Sequence, residues 1–207
     1  ARVKLGDSTV SGVALMGVRI DATLRGTANA VGINYEIPAV TIMVNLRSVL
    51  SAPLRKAGVV YRASMEDFFQ RNADFCKQEN IELVGARVAD DADAKAGLDK
   101  ALHELLARSD IDALWVVNDN FFLNAKLIKE VWLPSLSGWK HPVIVGVESL
   151  VKPELKFGNF AVIPDNYALG AQAVPAVQAD VVERLHRAVL LPDDEHARLA
   201  DLGRDVV

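Results

Sequence analysis

Ile111-Asp112-Ala113-Leu114-Trp115-Val116-Val117-Asn118-Asp119-Asn120 is the stretch from which the rest of the chain can be read. Its apolar run, Ala113 to Val117, ends abruptly in three side chains that can all hydrogen-bond. Apolar runs this short, set between helical patterns, read as buried parallel strands. In an open α/β sheet, ligands bind just beyond the carboxyl ends of such strands. Asn118, Asp119 and Asn120 would stand there, offering amide groups and one carboxylate but no nucleophile.

Working outward, the sequence from Lys56 to Ser149 alternates strand and helix signals. Ala57-Gly-Val-Val-Tyr61 reads as a strand. Ser64-Met-Glu-Asp67 then reads as an N-cap with acidic first-turn residues. The helix that follows carries Phe68, Phe69, Ala73 and Cys76 and stops near Asn80. Ile81 to Val88 is the next strand, and Asp90-Asp-Ala-Asp93 caps a helix with Leu98, Leu102, Leu105 and Leu106 on its inner side. The run ending at Asn120 is the third strand, Asn124 to Trp132 a further helix, and Pro142 to Val147 the fourth strand, leading into Glu148 and Ser149. This alternation implies right-handed crossovers and a doubly wound parallel sheet of the α/β class, a flavodoxin-like three-layer α/β/α sandwich.

The flanks are less regular. Thr9 to Leu15 reads as a strand weakened by its glycine. Ile37-Pro38 opens a helix from Ala39 to Leu54, with Ile42, Leu46, Val49 and Leu50 as its apolar stripe. Phe160 to Ile163 reads as a short strand. Pro164-Asp165-Asn166 starts a last long helix through Leu169, Ala173, Val177, Val181 and Leu185, which Pro175 should kink or split.

The 207 residues suffice for a real core, and half of them are hydrophobic. A net charge of −4 argues against nucleic acid or an anionic membrane surface as partner. No apolar run is long enough to span a bilayer. Cys76 is the single cysteine, expected to be a buried structural thiol, and by itself says nothing of compartment. The opening Ala1-Arg-Val-Lys, without Met or signal peptide, reads as a processed or trimmed chain.

Candidate chemistry narrows quickly. There is no Gly-x-Ser-x-Gly elbow, no Gly-x-Gly-x-x-Gly and no Gly-x-x-x-x-Gly-Lys. The histidines, His103, His141, His186 and His196, lie at helix or loop positions and lack metal-ligand spacing, so neither a metal nor a cofactor is expected. A phosphorylatable receiver domain would need an acidic pair after the first strand, but Tyr61-Arg62-Ala63-Ser64 stands there, and an arginine opposes a metal site. Three polar strand ends remain: Tyr61 to Ser64, Asn118 to Asn120, and Glu148 with Ser149. The first leads into a helix N-terminus, which suits a carboxylate. Tyr61 offers a ring to an apolar ligand portion, and Asp119 or Glu148 a counter-charge to an ammonium. Together they fit a zwitterion such as an amino acid. The plainer reading makes Asn118 to Asn120 helix caps and Glu148 a solvated loop residue.

From about Gly58 to Gly170 the chain resembles the ABC-transporter substrate-binding proteins of the type I periplasmic-binding fold. Within them it is nearest the little-characterised branch that includes binders of aromatic amino acids. The matching pieces are Ala57 to Tyr61, Trp115-Val-Val-Asn-Asp-Asn120, Val145-Gly-Val-Glu-Ser149, Gly158 to Asp165 and Tyr167-Ala-Leu-Gly170. Ser8-Thr-Val-Ser-Gly-Val13 looks like the crossing between two lobes. The resemblance implies residues 1–37 as a remnant of lobe one and the hinge crossing, with the first lobe otherwise largely lacking. Residues 38–150 would form ligand-binding lobe two, and residues 151–207 the return to lobe one through a strand and a long helix. Carried over by position, Tyr61, Arg62, Ser64, Asn118, Asp119, Asn120, Glu148 and Ser149 would line one wall of a site closed between the lobes, with Asp165 near the hinge.

The function so implied is that of a non-enzymatic solute-binding component of an ABC import system, taking an amino acid or similar small molecule. An ABC permease would be its partner and the location extracytoplasmic, periplasmic or lipid-anchored. A sensor or interaction domain of a signalling system, reusing the same fold, is the alternative. Asp119→Ala or Glu148→Ala is expected to weaken binding while leaving the melting transition nearly unchanged.

Overall fold

The computed structural model describes residues 12–14, 20, 24–27, 30–33, 36–155, 157–175 and 178. The chain divides into two compact units, one of residues 1–34 and 165–207, the other of residues 35–164. In the first unit β1 (Gly12–Ala14) pairs in parallel with β2 (Ala30–Gly32). The strand expected at Thr9 to Leu15 is thus described at its centre. A helix covering residues 166–175, α6, belongs to the same unit. Pro175 is the last residue of this run, and the expected continuation through Val177, Val181 and Leu185 lies outside the described residues.

In the second unit the chain runs through α1 (Ala39–Val49), β3 (Lys56–Arg62), α2 (Glu66–Gln78), β4 (Glu82–Val88) and α3 (Ala94–Leu106). It continues through β5 (Ala113–Trp115), α4 (Ala125–Leu127), a π-helical turn at Ile128–Trp132 and α5 (Leu133–Ser135) to β6 (Val143–Val145) and β7 (Phe160–Ala161). All five strands are parallel and ordered β4-β3-β5-β6-β7. Numbered within the unit this is 2-1-3-4-5, the flavodoxin-like winding, whose switch point lies between β3 and β5. The doubly wound α/β reading therefore holds.

The two sheet faces bury different residues because alternate side chains of a strand point opposite ways. Ala57, Val59 and Tyr61 of β3 pack with Trp115 and Ile144 beneath α1 and α2. Val60, Leu114, Val143 and Val145 pack beneath α3 and the helical segment after β5. Each helix shows a local cause. Asp93 caps α3 by accepting a bond from the Ala96 N–H (2.8 Å), as its sequence suggests. At the end of α2, Asn80 takes a positive φ of 58° while the Ile81 and Asn80 N–H groups donate to the Cys76 and Lys77 carbonyls. This is a Schellman stop.

Three expectations change. The helix opened by Pro38 ends at Val49 rather than Leu54, with Leu50 extended. Pro53 disfavours helical geometry just before it. Val49 is 66% exposed, and Ala39, Ile42, Met43 and Leu46 form the buried stripe. Ser64 does not cap α2. A 3-10 turn, Ala63–Met65, precedes that helix, and the Ser64 hydroxyl donates to Asp90 instead (2.7 Å). Finally, the Phe160 strand completes the main sheet as its edge, with the Val162 N–H donating to the Val145 carbonyl (3.2 Å). Its ladder partners are thus Ile144 and Val145 of β6.

Candidate functional site

The carboxyl ends of β3 and β5 flank the switch point, and an ion pair joins them. Arg62, the last residue of β3, donates from Nε to Asp119 Oδ2 and from Nη2 to Asp119 Oδ1, at 2.6 and 3.0 Å. Such a fork-to-fork pair fixes both side chains in one plane. The Asp119 side chain is only 9% exposed against 29% for Arg62. Asp119 also accepts from the Phe121 N–H (3.1 Å), and its own carbonyl accepts from Phe122 and Leu123. Behind the guanidinium lies the Phe121 ring, 5.0 Å from Cζ to centroid, a cation–π contact.

These contacts revise two expectations. The Asp119 carboxylate is engaged on both oxygens, so its charge is already balanced by Arg62 rather than held for a ligand ammonium. Part of the plainer reading holds too, since Asp119 does organise the turn into the following helix. The N-cap itself is Asn124, which accepts from the Leu127 N–H (3.1 Å).

Tyr61 is also placed differently. It is 5% exposed, its ring stacks on Phe69 at 4.4 Å and 4°, and its hydroxyl donates to Glu66 (3.0 Å). Burial, and then the Glu66 bond, push its phenol up to about 12. The ring is part of the core and no platform for a ligand. Gly85 of β4 makes the stack possible, because a Cβ there would lie 2.6 Å from Tyr61 and 2.7 Å from Phe69. Glu66 and Asp67 occupy the first turn of α2 and offset its dipole, which weakens that N-terminus as an anion site.

Asn118 lies just beyond the end of β5, against Gly146, the residue that follows β6. Its Oδ1 is buried and has no partner among the described residues. It borders a cavity of about 20 Å³ walled by Phe68, Trp115, Val117, Gly146 and Pro164, room for one water. A Cβ on Gly146 would come within 2.5 Å of Asn118 Nδ2, so the amide can lie there only beside a glycine. Asn120 is exposed and borders a mostly apolar groove of about 560 Å³ with Leu123, Ile128, Leu133, Val147 and Leu150. That volume is in the range of small-molecule sites. A groove of about 830 Å³ opens at the other end of the strands, among Arg47, Lys56, Lys77 and Glu82, far along β3 from Arg62.

Glu148 and Ser149 are exposed in a 3-10 turn, Glu148–Val151. Asp165 belongs to the other unit, where its Oδ1 accepts from the Tyr167 and Ala168 N–H groups (2.9 and 3.0 Å) and caps α6. Of the residues read from the sequence, then, Arg62 and Asp119 meet directly, and Ser64 turns to Asp90. Phe121 and Gly146 were not foreseen. The Phe121-Phe122 doublet after Asn120 was the visible signal, but nothing in a one-dimensional spacing ties residue 121 to residue 62.

The chain is similar to several solved structures. An ABC domain from Streptococcus pneumonia in complex with L-Trp shares 18% identity at a TM-score of 0.49, over 72% of this chain and 50% of that one. A conserved domain protein from Vibrio cholerae shares 20% at 0.49, over 74% and 48%. An extracellular ligand-binding receptor from Verminephrobacter eiseniae shares 20% at 0.46, over 69% and 39%. The chain thus spans half or less of the length of these structures. No described protein family matches it, and neither does any curated protein. Among the described residues no helix is long and apolar enough to cross a membrane.

Proposed function

We propose that this chain binds a small solute at the carboxyl ends of β3, β5 and β6 and performs no catalysis there. The observation that carries the reading is the buried, unpartnered Asn118 Oδ1 beside the switch point of a doubly wound sheet. A buried acceptor without a partner costs about 1–3 kcal/mol, a cost that a ligand donor or a water would relieve. Phe68 and Trp115 wall the same cavity and the Arg62–Asp119 pair joins the neighbouring strand ends, while among the described residues the Ser64 hydroxyl is bonded to the Asp90 carboxylate and to no histidine.

The solute is an amino acid or a molecule of similar size, and the role is that of the binding component of an ABC importer, working outside the cytoplasm with a permease. This finer part rests on the motif order from Ala57 to Gly170 and on the polar strand ends. Calorimetry of the 207-residue chain against the common amino acids, aromatic ones first, tests it. Saturable heat with at least one of them is expected. Flat titrations throughout would remove the reading.

A further inference from the structure

Arg62 has five N–H donors, and Asp119 takes two of them, both from the Nε and Nη2 side. The other three, including both on Nη1, have no partner among the described residues. The side chain that carries them is 29% exposed, whereas its anchor Asp119 is 9% exposed. One edge of the guanidinium is therefore fixed on Asp119, the Phe121 ring supports its plane, and the side chain stays partly exposed at the end of β3. A guanidinium held in this way has already lost its rotamer freedom, so a ligand would not bear that cost again.

We propose that Arg62 is the anion-binding group of this site and takes a carboxylate of the ligand on its Nη1 edge, with Asp119 and Phe121 as positioning residues. The inference rests on the solute-binding reading above and names the ligand chemistry of that site. It also moves the anion contact away from the N-terminus of α2, where Glu66 and Asp67 already lie. Asp119 lowers the net charge at the site but leaves the free donors in place. Recognition is accordingly by directed hydrogen bonds more than by long-range attraction.

The test is calorimetry on the full chain with pairs of probes that differ only in the charged group: each amino acid and its carboxamide. At about pH 6 both members keep their ammonium charged. The acid of a bound pair is expected to bind at least about tenfold more tightly than its amide, the range of a charge-assisted hydrogen bond. Arg62→Gln should abolish that preference, and Arg62→Lys should keep only part of it, since a point charge replaces a planar fork. Phe121→Leu should lower the ratio by a few fold, a readout that a purely structural role would not move. Equal binding of acid and amide to the unmodified chain overturns the assignment and leaves solute binding standing, and it requires no variant to fold. An undiminished preference in folded Arg62→Gln or Arg62→Lys overturns it too. If neither member of any pair binds, the solute-binding reading falls, and this one with it.

Discussion

At the scale of single residues, the most consequential fact is that Asp119 is already paired. The sequence suggested that Asp119→Ala and Glu148→Ala would behave alike, weakening binding with little effect on melting. The structure separates them. Asp119→Ala strips the partner from a partly buried guanidinium and removes the acceptor of the Phe121 N–H, and should cost about 1–3 kcal/mol in urea unfolding. Glu148 is exposed, and its replacement should stay within about 0.5 kcal/mol. Equal unfolding midpoints for the two variants would contradict the pairing. Cys76 gives a second residue-scale prediction. It is fully buried, and burial raises its thiol from 9 to about 11. The native chain should resist alkylation at neutral pH and react once unfolded. Because the folded value is the higher one, the contribution to stability is complete below about pH 9 and is lost as pH rises towards 11.

At the scale of elements, caps and close approaches dominate. Asp93→Ala should destabilise α3 by about 1 kcal/mol, measured as a shift in denaturant midpoint at constant slope. Gly146 concerns the meeting of two strands. Its alanine variant would drive a methyl group into the Asn118 amide, so that either the amide or the end of β6 must move. Solute binding, where calorimetry detects it, should weaken by more than the stability does. A Gly146→Ala chain with unaltered binding would show that Asn118 plays no part in the site. The early end of α1 carries a related lesson. The apolar residues Val49 and Leu50 fit a longer helix, but Pro53 opposes it, and the chain turns extended so that Leu54 can be buried.

At the scale of the whole molecule, the sheet of residues 35–164 should behave as one cooperative core. Amide hydrogen exchange is expected to be slowest in the central strands β3 and β5 and faster in β7, which pairs on one side only. Much of this unit is legible in the sequence. Apolar runs such as Ala57–Tyr61 and Ala113–Val117, separated by helical stripes with Asp93-type caps, leave little besides a parallel sheet wound on both faces, because strand and helix periods are local properties. It also identified the strand ends at which polar groups collect. It did not reveal which of those groups are free. Tyr61 and Arg62 are neighbours in sequence, yet strand alternation sends one ring into the core against Phe69 and the other side chain to Asp119. Sheet order sets this, since the partners lie up to 57 residues apart and no local pattern encodes their meeting.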